Sequence, residues 1–120
     1  MTARDVAAER AEIEAAAEGR TFCTDLAATA ARVPDQDAFR IRTGDAAYDS
    51  LTWSQFRDRV RDAALGFLSL GLEPGDFVLL QARCTPEHSI ADMGVVHARG
   101  TPVSLYNTLA PEQISYIANH

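Results

Sequence analysis

The sequence predicts an α/β fold: a mostly parallel βαβ sheet with flanking helices. Between Leu51 and Tyr116, apolar segments with strand and helix periodicity follow one another as strand, helix, strand, helix, strand and helix. Proline and glycine stand at the junctions, where turns and helix ends require them. Successive strand–helix–strand units with right-handed crossovers place their strands parallel in one sheet.

Composition narrows the class of protein. The 120 residues fit one domain, and a formal net charge of −6 argues against non-specific nucleic-acid binding. All eleven basic residues are arginine, and without lysine a phosphate-binding P-loop is excluded. Two cysteines do not make a disulfide framework, and no apolar run approaches the ~18 residues that a membrane span needs. These features predict a cytoplasmic protein.

The N-terminal part reads as two helices. Thr2 to Glu18 is rich in alanine, with a possible cap at Thr2-x-x-Asp5, but its apolar stripe is interrupted, which predicts a loosely docked helix. We therefore assign residues 1–21 to an N-terminal helical extension. Thr24 to Arg32 is predicted as the next helix, with Thr24 as N-cap and Pro34 stopping it.

A hairpin and a strongly marked helix follow. Ala38 to Arg42 and Ala47 to Leu51 are predicted to pair as antiparallel strands around a Thr-Gly-Asp turn. Thr52 and Gln55 then form a capping box, and Leu51 and Phe56 occupy the two positions of a hydrophobic staple. Gly71 supplies the left-handed stop of this helix.

The last third of the chain predicts two more strands, each leading into a helix. Phe77 to Leu80 and Pro102 to Tyr106 are continuous apolar strands, which predicts that both faces of their sheet are covered. Between them, a helix starts at Pro86 and is expected to end at Gly100. A final helix from Pro111 is predicted to turn Ile114, Ile117 and Ala118 inward and to lack a C-cap. We expect the missing cover to come from outside this chain.

Side chains with reactive groups do not form a recognisable site in the sequence. His88 and His97 are nine residues apart on one helix, so they lie on opposite sides of it and cannot share a metal ion unaided. Cys84 precedes a helix N-terminus, where a thiol pKa can fall, and His88 lies one turn away, but a buried structural cysteine is the favoured interpretation. No catalytic, cofactor-binding or metal-binding residue is assigned.

Several segments together resemble the adenylate-forming (AMP-binding) superfamily, most closely its long-chain fatty acid–CoA ligases. One segment resembles the family's first core motif, L-[TS]-Y-x-E-L. Three later segments resemble the family's next turn and strand, its second core motif and the segment that follows that motif. The matching segments are Leu51–Phe56, Gly71–Val78, His97–Leu105 and Asn107–Ile117. Upstream, Leu26 to Phe39 resembles the family's opening helix, Pro-Asp turn and first strand. Trp53, Gln55 and Phe56 depart from the motif but keep its physical roles. The resemblance covers Phe22 to His120.

The resemblance implies that residues 22–120 are an incomplete N-terminal part of the large domain of such an enzyme. It implies a reaction in which a fatty acid carboxylate attacks ATP to give an acyl-adenylate, and coenzyme A then displaces AMP. The family's phosphate loop, its magnesium-binding glutamate and its catalytic lysine have no counterpart in this sequence. We therefore assign no cofactor to this chain and predict that it is inactive alone. The resemblance implies ATP, Mg²⁺ and coenzyme A for the full-length family. A complementing downstream polypeptide is a conceivable partner.

Two alternatives remain open at this point. The chain could be a stand-alone α/β binding or interaction domain without catalysis, which should close its last βαβ unit and cap its last helix. It could also be a small enzyme that uses Cys84 with His88, an interpretation disfavoured by the argument above.

Overall fold

The computed structural model describes residues 5–120 and confirms the α/β fold class. From Tyr48 onward, strands and helices alternate as the periodicity predicts. Their bounds are α1 Val6–Ala17, α2 Phe22–Arg32, β1 Asp37–Arg42, β2 Tyr48–Thr52, α3 Trp53–Ser69, β3 Phe77–Gln81, α4 Pro86–His97, β4 Thr101–Leu105 and α5 Pro111–Ala118.

The two N-terminal helices differ in how they dock. None of the residues of α1 is buried, which confirms a loosely docked helix, and the carboxylate of Asp5 accepts the backbone N–H groups of Ala7 and Ala8 at its start. The predicted contribution of Thr2 lies outside the described residues. The predicted N-cap of α2 at Thr24 is wrong. Thr21 is the cap, because its backbone is still extended and its hydroxyl accepts the N–H of Thr24.

The strands form two separate pairs. β1 and β2 are antiparallel, as predicted, and β3 and β4 are parallel, joined by α4. The expected second parallel unit, β2–α3–β3, is wrong, because among the described residues β2 pairs only with β1. Helix α3 therefore links the two sheets, and the β3–α4–β4 unit is the parallel element of the fold.

The core lies where α2, α3 and α4 meet the hairpin. Leu26, Leu51, Phe56, Val60 and Ile90 form one buried cluster. The predicted capping box and staple at the start of α3 are confirmed. The side chain of Gln55 accepts the Thr52 N–H at 3.0 Å, and the Thr52 hydroxyl accepts the Gln55 N–H at 3.3 Å. This start directs Phe56 into the core, edge-on to Phe39 with ring centroids 5.0 Å apart.

Helices α3 and α4 approach each other at a glycine. A Cβ placed on Gly94 of α4 would lie 2.8 Å from the Cβ of Ala63 and 3.3 Å from the backbone nitrogen of Ala64. Real Cβ atoms do not approach so closely, so the absence of a side chain at Gly94 sets the distance between the helices. This crossing holds α4, and with it the parallel strands, against the core.

The end of α4 differs from the prediction. Arg99, not Gly100, takes the left-handed conformation, with φ 67°, and the N–H of Gly100 donates to Val95 O at 2.9 Å to close a Schellman motif. Gly100 is required for space instead. A Cβ there would lie 2.9 Å from the Val95 side chain and 3.0 Å from that of Leu72.

The left-handed Arg99 provides a test of this helix end. The left-handed conformation costs a residue with a side chain roughly 1–2 kcal/mol. Glycine avoids this cost but loses more backbone entropy on folding, so we expect Arg99→Gly to raise the free energy of unfolding by about 0.5–1 kcal/mol. Arg99→Ala keeps the Cβ and should give no such gain. Urea denaturation of both variants checks the prediction, and equal stabilities would contradict a left-handed residue 99.

The β3–β4 sheet is covered on one face only. Along β3, Val78 and Leu80 are half-buried, whereas Phe77 and Leu79 are 74% and 36% exposed. The predicted cover on both faces is therefore not provided by residues 5–120. Helix α5 is likewise poorly docked: Ile114 is half-buried, but Ile117 and Ala118 are exposed, contrary to the expected inward face.

The expected absence of a cap on α5 is also wrong. The side-chain amide of Asn119 donates to the backbone carbonyl of Ser115 at 2.7 Å, and its backbone N–H donates to the same carbonyl at 3.2 Å. Asn119 therefore ends the helix.

Candidate functional site

A recess lies at the carboxyl ends of the parallel strands. A cavity of about 440 Å³ opens there, between the segments that follow β3 and β4. Parallel strands end at the same edge of a sheet, and ligands of open α/β sheets bind outside that edge. The lining residues are Ala82, Cys84, His88, Ser104, Leu105, Tyr106 and Asn107.

A histidine–serine pair joins α4 to β4 in this recess. His88, in the first turn of α4, has its Nε2 3.2 Å from the Oγ of Ser104, the fourth residue of β4. The histidine is half-buried and the serine exposed. The loop after β4 is tied down by Gln81, whose side-chain amide donates to the Tyr106 carbonyl at 3.2 Å. The two polar contacts fix the shape of the recess.

Cys84 lies between two recesses. Besides the cavity just described, it lines a second one of about 370 Å³ between β1 and the start of α4. The expected burial of Cys84 is wrong: the thiol is exposed, because the residue stands in the loop between β3 and α4. His88 makes its hydrogen bond with Ser104 rather than with Cys84. An activated nucleophile needs a base within hydrogen-bond reach. The geometry therefore gives no support to the small-enzyme alternative built on Cys84 and His88.

The start of α4 favours negative charge. Thr85 is the N-cap residue and Pro86 the first helical residue, as predicted. The pKa of the exposed Glu87 carboxyl is lowered, first by a hydrogen bond from its own backbone N–H and then by one from the Thr85 side chain. Glu87 thus occupies part of the positive end of this helix.

The other two histidines are engaged separately. His97 Nδ1 lies 2.7 Å from the Met93 carbonyl oxygen, four residues earlier in α4, and His120 Nε2 lies 3.4 Å from the Tyr116 hydroxyl. No group of three or more histidine, cysteine, aspartate or glutamate side chains within residues 5–120 is arranged to hold a metal ion.

The side chains at the strand ends can offer hydrogen bonds to a ligand, but they do not form a catalytic set. They comprise an imidazole, two hydroxyls, an amide and a thiol, without a carboxylate, a lysine or an arginine among them. The sequence interpretation considered Cys84 and His88 but missed Ser104, Tyr106 and Asn107. Their place at the end of a parallel strand is the signal that could have found them.

The segments that resemble family motifs have structural roles in this fold. Leu51–Phe56 forms the end of β2 and the capped start of α3, and His97–Leu105 forms the close-packed link from α4 into β4. Gly71–Val78 leaves α3 and enters β3 through a turn in which the Asp76 N–H donates to Glu73 O at 3.1 Å. Gly75 has φ 92° at the third position of this turn, as a type II turn requires.

Comparison with known proteins settles the family. A family model described as "AMP-binding enzyme" matches residues 26–120. The chain belongs to the AMP-binding enzyme family. The match begins within α2 and does not include α1. The boundary between an N-terminal extension, residues 1–21, and the AMP-binding part, residues 22–120, stays a prediction.

The relatives with similar sequences align with different lengths of this AMP-binding chain. Uncharacterized protein Rv1549 of Mycobacterium tuberculosis is 33% identical over 113 residues, which are 94% of this chain and 63% of that protein. Long-chain-fatty-acid–CoA ligase ACSBG1 of Macaca fascicularis is 37% identical over 71 residues, 59% of this chain and 10% of the ligase. The chain thus spans under two thirds of the first relative and a small part of the second.

A solved structure supports the fold over most of this AMP-binding chain. A benzoate CoA ligase from Burkholderia xenovorans LB400 superposes with a TM-score of 0.75 and 25% identity, over 84% of this chain and 20% of the ligase. No helix within residues 5–120 is both long and apolar enough to cross a membrane.

Proposed function

We propose that this chain is an N-terminal scaffold segment of an AMP-forming long-chain fatty acid–CoA ligase and does not catalyse the reaction alone. The observation that carries the proposal is that three family-like segments, Leu51–Phe56, Gly71–Val78 and His97–Leu105, build a cap, a turn, a helix end or a strand. The similarity to ACSBG1 supports the fatty acid branch. The predicted cytoplasmic location belongs to the same proposal.

The side chains of this chain supply little of the chemistry that acyl activation needs. An attack on ATP develops negative charge on phosphate oxygens, which enzymes stabilise with lysine, arginine or a metal ion. The chain contains no lysine, and no arginine within residues 5–120 lines the recess at the strand ends. We therefore propose that the fatty acid, ATP, Mg²⁺ and coenzyme A bind to other parts of an AMP-binding domain.

As a scaffold, the chain would position two parallel strands for the rest of a domain. The capped start of α3, the close crossing of α3 with α4 and the β3–α4–β4 unit together fix two parallel strands against a core. In a larger α/β domain such a unit sets the register and twist to which further strands are added. The chain would thus contribute geometry rather than reacting groups.

ATP–pyrophosphate exchange tests the inactivity of the chain. The purified 120-residue protein is incubated with ATP, Mg²⁺, labelled pyrophosphate and palmitate, and a benzoate–CoA ligase with benzoate serves as the positive control. We expect no exchange above the protein-free blank. Exchange that rises in proportion to the amount of pure chain would refute the proposed scaffold role.

Direct binding separates the scaffold role from that of a stand-alone binding domain. Isothermal titration with ATP, coenzyme A and palmitate is expected to give no saturable binding at millimolar ligand. Stoichiometric binding of any of the three in the absence of exchange would favour the stand-alone domain instead.

A further inference from the structure

The backbone groups of β3 point in two directions. The N–H of Thr101, the first residue of β4, donates to the carbonyl of Asp76 at 2.7 Å, just before β3 begins. Successive residues of a strand turn their N–H and C=O groups to opposite sides, so every second residue bonds to the neighbouring strand. The residues of β3 that share the direction of Asp76 therefore bond to β4. The residues that turn these groups to the free edge are Phe77, Leu79 and Gln81.

The free edge of β3 carries no feature that discourages pairing. Neither a charged residue nor a proline interrupts Phe77–Gln81, although these are devices that protect edge strands. Within residues 5–120, no other segment donates to or accepts from the backbone groups on this edge. The side chains of Phe77 and Leu79 are 74% and 36% exposed beside it. β3 thus offers an accessible, apolar edge to another strand.

The free edge of β4 is different. Because Thr101 bonds toward β3, the next residue, Pro102, turns its nitrogen to the free edge. Proline has no N–H to donate, so a strand added there would lose a ladder hydrogen bond. Further pairing is therefore favoured at β3 and opposed at β4.

We propose that two copies of this chain associate through their β3 strands, which pair antiparallel about a twofold axis at Leu79. In this arrangement Leu79 lies opposite Leu79 of the second copy, and Phe77 lies opposite Gln81 of the second copy. Both are pairs that exchange two hydrogen bonds, because all three residues turn their backbone groups to the edge. The occupant is a second copy because this edge is complementary to itself. The inference does not depend on the proposed function.

The geometry also limits the assembly to a dimer. A twofold interface uses the same surface on both copies and closes on itself. The outer strands of the joined sheet are then the two copies of β4, whose edges Pro102 protects. An interface of one short strand per copy is small, so the dimer is expected to dissociate in the micromolar range.

Charge substitutions at the axis test the proposed pairing. Leu79→Lys and Leu79→Glu each place two like charges opposite each other, and both are expected to weaken the dimer by about tenfold or more in sedimentation equilibrium. An equimolar mixture of the two variants should form a heterodimer, because the facing charges are then of opposite sign. Leu65→Lys is the matched control: Leu65 is 59% exposed on α3, outside β3, so this variant should dimerise like the wild type.

Hydrogen exchange locates the contact at the strand edge. The backbone N–H groups of Phe77, Leu79 and Gln81 should exchange more slowly as the concentration of the wild-type chain rises. Those of Val78 and Leu80, which already bond to β4, should change little. A dimer formed by stacking of the open faces would leave the edge N–H groups without partners, so their exchange would not slow in this pattern.

Phe77→Lys is a second variant that is expected to fold normally, because the side chain it replaces is 74% exposed. It should also weaken the dimer. A wild-type chain that stays monomeric at millimolar concentration, oligomers larger than a dimer, or a Phe77→Lys chain that dimerises like the wild type would overturn the proposal. So would unchanged exchange at Leu79 in a dimer. A mixture of Leu79→Lys and Leu79→Glu chains, both folded by circular dichroism, that formed no heterodimer would exclude the axis.

Discussion

Phe56→Asp is expected to abolish cooperative unfolding of this chain at room temperature. Phe56 is 6% exposed and lies in the buried cluster, with the ring of Phe39 at 5.0 Å and that of Trp53 at 6.2 Å. Loss of a buried phenylalanine costs about 3–5 kcal/mol, and a carboxylate without a partner in its place adds to the loss. Domains of this size are stabilised by only roughly 5–15 kcal/mol in total.

Circular dichroism during urea titration measures this effect. Leu65→Asp is the matched control on the same helix, because Leu65 is 59% exposed and its replacement removes little buried surface. Leu51→Asp, at the other staple position and 5% exposed, is expected to behave like Phe56→Asp. If Phe56→Asp and Leu65→Asp melted alike, the placement of α3 on the core would be wrong.

The start of α3 could be predicted because its signals are local. The six positions Leu51–Phe56 hold all of them: the N-cap, the residue that closes the capping box and the two apolar residues of the staple. Each acts on the backbone next to it. The same holds for the turn at Pro74 and Gly75. Local hydrogen bonding does not depend on the rest of the fold, so sequence reasoning placed these elements correctly.

The pairing of the strands could not be predicted in the same way. The pattern of apolar residues in β2 fits a hairpin and a parallel sheet equally well, and the choice depends on partners far along the chain. In the structure β1 satisfies one edge of β2, and α3 leads away to a second sheet. The prediction of two successive parallel units failed for this reason.

The roles of Arg99 and Gly100 show a similar limit. A glycine after a helix usually signals the left-handed cap, and no residue near Gly100 indicates that the arginine before it takes that role. The requirement for glycine at residue 100 comes from packing, because a Cβ there would lie 2.9 Å from the Val95 side chain and 3.0 Å from that of Leu72. The recess at the strand ends was missed because its residues are brought together by the parallel pairing of β3 with β4.

The scaffold interpretation connects these features to the family. The segments by which the chain resembles AMP-binding enzymes are those whose local geometry is most demanding, such as the staple, the turn before β3 and the link into β4. A scaffold segment retains such residues because they fix where the strands lie. Reactive groups can then be supplied by other parts of a domain.

The crossing of α3 and α4 offers the second large effect, through two glycines that sit in helix interiors. Gly66 of α3 faces open space, with no atom within 4 Å of a Cβ built on it, whereas the corresponding Cβ on Gly94 of α4 would lie 2.8 Å from Ala63. Replacing a helical glycine by alanine favours the helix by roughly 0.5–1 kcal/mol at either position. Any difference between the two substitutions therefore reports on the crossing itself.

Gly94→Ala is expected to lower the free energy of unfolding by about 1–3 kcal/mol, because the added methyl group forces the two helices apart. Neither neighbour can move aside easily: Ala63 Cβ is fixed to the helix backbone, and the second contact, at 3.3 Å, is the backbone nitrogen of Ala64. Gly66→Ala should instead stabilise the chain slightly. Parallel urea titrations measure both, and a Gly94→Ala protein as stable as Gly66→Ala would mean that α4 does not lie against α3 at this distance.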